Sequence, residues 1–172
     1  NSTMVAILPG TDSIAYGVGA GISNIAGGNF NTFIGNYAGQ SNTTGDDNTA
    51  NGYNALFTNT NGGYNTANGY AALYSNTGGN YNTANGYQAL YYNTGNSNTA
   101  NGSKALYSNT IGHDNTANGY KALFSNIDGR SIELSCKKGS GKPGPFLLLL
   151  GVRVTLMELS SGFGWLRQSP AF

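Results

Sequence analysis

Charge is what this sequence has least of. Only 9% of its 172 residues are Asp, Glu, Lys or Arg, the net charge is +1, and there is a single His. Nucleic-acid binding needs a basic stripe to neutralise phosphates, and this balance excludes one. Acid–base or hydrolytic chemistry needs converging titratable groups, and these are scarce. Cysteine is nearly missing as well: the lone Cys136 rules out an intramolecular disulfide and leaves the redox compartment unread. The longest apolar run, Phe146–Leu150, falls far short of the roughly 20 residues of a membrane helix, so no membrane span is expected. The chain starts at Asn1 with no secretory leader in view, as a mature processed protein or an excised fragment would.

What the chain has instead is amide, hydroxyl, glycine and aromatic ring, with 25 Asn, 27 Gly, 12 Tyr and 7 Phe. These are not scattered. Asn-Thr-Ala-Asn-Gly recurs from Asn48, Asn65, Asn82, Asn98 and Asn115, each time followed by Ala-Leu and an aromatic, and then by Asn. The steps are 17, 17, 16 and 17 residues. Rings at fixed phases argue against a disordered polar tract. A step this short fits one coil of a solenoid, a unit that buries its apolar face only by stacking on neighbours.

The phase extends backward through Asn31-Thr32-Phe33-Ile34-Gly35 and Ser13-Ile14-Ala15-Tyr16-Gly17. The predicted fold is therefore all-β: a parallel β-solenoid (β-roll or β-helix) of about seven coils, near 13–30, 31–47, 48–64, 65–81, 82–97, 98–114 and 115–130. At the ~4.8 Å strand spacing it would stand about 33 Å tall. Residues 1–12 form an N-terminal segment or cap, 13–130 the solenoid, and 131–172 a β-rich C-terminal cap or docking segment. From Arg130 onward six of the eight Lys and Arg and three of the four Pro collect. Each coil should carry one strand over Asn-Thr-Ala-Asn and a second over Tyr-x-Ala-Leu-Tyr, with Gly52, Gly69, Gly86, Gly102 and Gly119 at the corner between them. The rival is an antiparallel hairpin array built on Asn-Gly turns.

Parity along a straight second strand would face Tyr53, Ala55 and Phe57 inward. It would place Leu56, Leu73, Leu90, Leu106 and Leu123 outward as a lateral seam between copies. A bend near Ala55 would instead return those leucines to the core. The expected ladders are this Leu row, the Tyr row (Tyr53, Tyr70, Tyr87, Tyr120) and the Asn row (Asn51, Asn68, Asn85, Asn101, Asn118), which would fix register as amide columns do in cross-β stacks. Both ends of the solenoid would present unpaired strand edges and invite end-to-end growth unless capped.

Other chemistry is thin. His113 beside Asp114 reads as a surface loop, and Asp46-Asp47 is too small a set for Ca²⁺. Gly139-Ser140-Gly141-Lys142 lacks the leading spacing of a phosphate loop. Asn1 and Asn42 are the formal N-glycosylation acceptors, and O-linked sugar on Ser and Thr is unreadable from sequence. No catalytic residue, cofactor or metal is expected.

The repeat unit resembles repeats of bacterial and phage tail-fibre-like surface proteins. It is also similar to the head repeats of trimeric autotransporter adhesins, where Ser-x-Ala-x-Gly phrases wind a left-handed parallel β-roll. The resemblance covers residues 13–130. It implies an extracellular location; self-association is expected from the repeat ladders, and the same flat, uncharged Asn and Tyr rows would suit a glycan or solid surface as partner. The residue before Gly, apolar in those heads, is Asn51, Asn68, Asn85, Asn101 and Asn118 here. Residues 130–172 resemble neither a coiled-coil stalk nor an outer-membrane anchor. Three functions are in play: a self-assembling extracellular fibre, a discrete trimeric adhesin head or tail-fibre module, and an ice-binding solenoid. The ice-binding reading lacks a regular Thr-x-Thr pattern.

Overall fold

The computed structural model describes residues 5–8, 12–24, 27–135 and 153–154. Twelve short strands are present among them: β1 (Val5–Leu8), β2 (Ser13–Tyr16), β3 (Thr32–Ile34), β4 (Thr49–Asn51), β5 (Thr66–Asn68), β6 (Thr83–Asn85), β7 (Tyr92–Asn93), β8 (Thr99–Asn101), β9 (Ser108–Asn109), β10 (Thr116–Asn118), β11 (Ile132–Ser135) and β12 (Arg153–Val154). The chain is all-β, and β2, β3, β4, β5, β6, β8, β10 and β11 pair in parallel, one strand per coil. Thr49 lies beside Thr66, Ala50 beside Ala67 and Asn51 beside Asn68, and the same letters align coil after coil. This is a parallel β-solenoid of about seven turns, roughly 17 residues apart. The 16-residue coil loses its residue between Asn93 and Gly95, in a turn, so the strands above and below stay aligned.

Both ends carry strands beyond the repeats. The parallel column runs on past residue 130 into β11, with Thr116 beside Glu133 and Asn118 beside Ser135. The end strands are not free edges. Antiparallel β1 covers all four residues of β2, and β12 pairs with Ile132 and Glu133 of β11. Each change of strand direction ends the parallel repeat.

The expected second strand is replaced by stacked turns. Ala55 and Leu56 are adjacent and both fully buried, which no straight strand allows. The chain manages it by entering the left-handed region twice, at Asn54 (φ 55°) and Leu56 (φ 54°), a pattern repeated at Ala71/Leu73, Gln88/Leu90, Lys104/Leu106 and Lys121/Leu123. Gly52 and its equivalents take the preceding corner, as expected, with φ between 122° and 142°. The turns still form a ladder: Asn54 N–H donates to Asn36 O of the coil before (3.1 Å), and Leu56 N–H to Ala72 O of the coil after (2.9 Å). Only beyond them, where β7 meets β9, does a two-residue parallel pairing form.

Leu56, Leu73, Leu90 and Leu106 are therefore core, fully buried, and Leu123 packs partly buried against them. The lateral Leu seam is overturned. In the second coil the same phase holds Gly39, with φ 57°, and the ring of Phe33 occupies the space a Leu would fill, where later coils have Ala50, Ala67 and Ala84. Large and small have exchanged places across the core, which conserves volume.

Left-handed φ at a non-glycine residue costs about 1 kcal/mol, and glycine relieves it. Gln88 is half-buried at φ 54°, in a row whose first member is Gly19. Gln88→Gly should raise stability by about 0.5–1 kcal/mol, read as an upward shift in urea midpoint at constant slope.

Thirteen of the buried side chains among the described residues are polar, against nineteen apolar. Besides Ser13, the buried polar side chains among the described residues are twelve asparagines, in two columns. One runs Asn31, Asn48, Asn65, Asn82, Asn98, Asn115, and the other Asn24, Asn42, Asn59, Asn76, Asn93, Asn109, continued by half-buried Asn126. Both point at a column of glycine carbonyls. Gly79 O, for instance, accepts from Asn65 Nδ2 and Asn76 Nδ2, each at 2.8 Å. Within the first column each side-chain oxygen takes the next coil's backbone N–H: Asn65 Oδ1 accepts from Asn82 N (3.0 Å) and Asn82 Oδ1 from Asn98 N (3.0 Å). Within the second, each Nδ2 donates back to the previous coil, as Asn76 does to Asn59 Oδ1 (3.0 Å). A buried amide is costly unless bonded, and these are bonded on both sides.

Candidate functional site

With Leu56, Leu73, Leu90 and Leu106 inside, the outer surface of the described coils is made of three kinds of row. The first is the open face of the sheet. Alternation along Thr-Ala-Asn buries the Ala and turns Thr and Asn outward, so β4, β5, β6, β8 and β10 present a column of Thr49, Thr66, Thr83, Thr99 and Thr116 beside the expected column of Asn51, Asn68, Asn85, Asn101 and Asn118. From Asn68 onward the outer amides bond to one another: Asn68 Nδ2 to Asn85 Oδ1, Asn85 to Asn101 and Asn101 to Asn118, each 2.9 Å. This ladder donates toward the C-terminal coil, opposite to the buried one of Asn59 and Asn76. Toward β2 the face turns apolar, with exposed Ile14, Tyr16 and Ile34.

The second kind is aromatic. Tyr53, Tyr70 and Tyr87 stand outward, not inward, and stack at 5.4 Å between centroids. Ser103 interrupts this row, and Tyr120 stands beyond the gap, 68% exposed. A longer row escaped the sequence reading: Phe57, Tyr74, Tyr91, Tyr107 and Phe124 stack at 4.8–5.2 Å with planes within 13° of parallel. Each stacked pair contributes about 0.5–1.5 kcal/mol beyond its burial. Between the two rows lies the variable position of Asn54, Ala71, Gln88, Lys104 and Lys121, which is half-buried or buried except at Lys121. Lys104 Nζ sits 5.9 Å from the Tyr87 ring and 5.7 Å from Tyr107, and Lys121 Nζ 5.3 and 5.5 Å from Tyr120 and Phe124. Each lysine thus bridges the two rows through cation–π contact.

The third kind is the exposed turn. Its Asp46 Oδ1 accepts from Asn29 N (2.7 Å), a job done in later coils by Asn80 Oδ1 for Gly63 N and Asn96 Oδ1 for Asn80 N. Asp46 is thus a turn residue in a series of amides. His113 Nδ1 and Asp114 Oδ2 are 2.7 Å apart at the surface. No group of three or more His, Cys, Asp or Glu could hold a metal among the described residues, and no helix there is long and apolar enough to cross a membrane.

Burial lifts the phenol pKa of Tyr91 and Tyr107, with neighbouring tyrosines adding to the effect, and the Asp47 carboxylate lifts that of Tyr64. The folded rod holds these protons more tightly than the unfolded chain, so the stability they bring is present below pH 10 and is lost as pH rises further. Thermal melts should be flat through neutral pH and fall above about pH 10.

The Asn42 glycosylation reading is corrected. Its side chain is fully buried, with Nδ2 bonded to Asn24 Oδ1 (2.6 Å) and Gly45 O (2.9 Å), so the folded coil has no room for sugar there. Asn1, Cys136, Gly139–Lys142 and Phe146–Leu150 lie outside the described residues. The sequence reading also missed both buried Asn columns. Their signal was persistence: Asn31, Asn42, Gly35 and Gly45 survive in the second coil, where Leu and the ring after it are replaced by Gly39 and Gln40.

No family model, curated protein or solved structure matches this chain.

Proposed function

We propose that the chain is an extracellular structural protein, a stiff rod that joins further copies of itself in a fibre or surface appendage. The observation that carries this reading is the pair of unbroken buried Asn columns, with their glycine carbonyls, running the length of the solenoid. Their hydrogen bonds run from coil to coil, which resists bending and shear of one coil on the next. The amide, hydroxyl and ring surface suits close lateral contact, since on the aromatic side only Lys104 and Lys121 bring like charges together. Contact between copies would fall to the outward Tyr rows, not to Leu. The resemblance to tail-fibre and adhesin-head repeats supports the extracellular setting.

The second reading is a discrete trimeric binding module. The apolar patch of Ile14, Tyr16 and Ile34 favours it, being a small seam at one end of an otherwise polar face. A glycan partner would have to be held by amides and ring edges, because stacking covers the ring faces it would otherwise use.

Electron microscopy of the purified chain over a dilution series separates the two. Long filaments with a regular rise support the fibre. Uniform short particles of fixed mass on sedimentation would overturn it in favour of the closed oligomer.

A further inference from the structure

We infer that the Thr/Asn face of the sheet is an ice-binding surface, whose ligand is water in its crystalline lattice. Five coils repeat the same two outward residues without exception: Thr49, Thr66, Thr83, Thr99 and Thr116 in one column, and Asn51, Asn68, Asn85, Asn101 and Asn118 in the other. The two columns stay in register because the strands pair in parallel with no offset. Rows lie about 4.8 Å apart, and the two residues of a row about 6.6 Å apart. No other outward position holds two neighbouring columns so uniform; the position of Asn54 alone reads Asn, Ala, Gln, Lys and Lys.

An array with one spacing across it and another along it complements a partner that is periodic in two directions, which is a crystalline solid. Its chemistry then narrows the solid. An ionic mineral calls for charge, and from Thr32 to Asn118 this face carries none. A crystalline sugar polymer calls for ring faces, and the aromatic rows stand on other sides of the coil with their faces stacked on one another. Ice needs neutral donors and acceptors at fixed places with small apolar groups between them, which Thr and Asn supply.

The groups are also held ready. The axial bonds from Asn68 to Asn118 fix those amides in one orientation, and each retains a second N–H and further acceptor capacity for water. The hydroxyls of the five threonines bond to no other group among the described residues, so they too are left to water. A Thr-x-Thr pattern is not required when the second column is an amide column locked in this way. The inference stands apart from the fibre reading, because a rod can present this face singly or in a bundle.

The test is growth of a single ice crystal in a supercooled solution of the folded protein, with the gap between melting and freezing points measured. Faceted crystals and a gap that grows with protein concentration are expected. Thr83→Tyr, in the centre of the face, should shrink the gap several-fold, and Thr77→Tyr, the same change on an exposed turn, should leave it unchanged. Thr99→Lys is the second variant should Thr83→Tyr fail to show the native circular dichroism and melt. Round crystals with no gap at millimolar protein would overturn the inference. So would a gap that survives both face variants, or one lost equally with Thr77→Tyr.

Discussion

Gly69→Ala is expected to unfold the rod, or to lower its stability by about 3–5 kcal/mol, a large share of what a domain this size possesses. Two costs add at this one carbon. Gly69 sits at φ 132°, a conformation that side chains rarely adopt. A Cβ there would also lie 2.6 Å from Gly86 O and 2.8 Å from Gly86 C of the next coil, and both are backbone, held by the same ladder. The neighbour cannot yield, because Gly86 N–H is bonded to Asn68 O at 2.8 Å. Gly78→Ala is the control: its φ is ordinary, and its Cβ would meet only the side-chain oxygen of Asn61, at 3.0 Å. Urea unfolding followed by circular dichroism should show the first variant collapsed and the second within about 1 kcal/mol of the parent. Equal effects would mean that glycine in the Gly69 column is incidental.

Asn82→Asp should make stability rise with acid. The change is nearly isosteric, but Asn82 is fully buried and its Nδ2 donates to Gly95 O at 2.9 Å. An aspartate oxygen in that place faces a carbonyl oxygen, and an ionised carboxylate is stranded with no cation near it. At neutral pH the cost is about 3–5 kcal/mol, the usual penalty of an uncompensated buried charge. Protonation repairs both faults, since the neutral acid donates to Gly95 O as the amide did, while its other oxygen still accepts from Asn98 N. The folded carboxyl pKa is raised above its unfolded value of about 3.9. Stability is therefore fully present below that unfolded value and is lost as pH rises through the folded one. Melting temperatures measured between acid and neutral pH should climb on acidification for this variant relative to the parent. If the two profiles run parallel, the buried column does not depend on the amide proton at Asn82.

The coil plan was legible because the repeat states it: a motif in fixed phase, glycine at the corner, and parallel stacking as the way to bury a 17-residue unit. The path between Tyr53 and Phe57 was not. Parity rules assume a straight strand, and two left-handed residues break the alternation, carrying Leu56 inward and Tyr53 outward. The sequence holds a clue in Gly21 and Gly39, which share the phase of Leu56 and favour a left-handed φ there. The asparagines were harder still. Asn48 and Asn51 sit three residues apart in one phrase, yet the first is buried and the second faces water, and composition cannot separate them. What separates them is partnership: Asn48 Nδ2 reaches Gly62 O at 2.8 Å, and nothing in the phrase itself names that distant carbonyl. Phe33 with Gly39 shows the same limit for packing, since each looks like a degenerate letter until the two are placed together.

The ladder also bears on how this protein ages. Asn followed by Gly is the pair most prone to spontaneous deamidation, in which the glycine nitrogen attacks the asparagine side-chain carbonyl and ammonia leaves. Asn68-Gly69, Asn85-Gly86, Asn101-Gly102 and Asn118-Gly119 all carry that pair on the surface. Here each glycine N–H is tied to a carbonyl of the preceding coil, at 2.9, 2.8, 2.8 and 2.8 Å in turn, so the nucleophile is engaged and aimed away from its target. The amides that would depart are held as well, Asn68, Asn85 and Asn101 by the next amide in the column and Asn118 by Ser135 Oγ at 3.5 Å. At these four pairs the bonds that stack the coils oppose the reaction that would charge the surface, whereas exposed Asn61-Gly62 has no such glycine bond and should deamidate first.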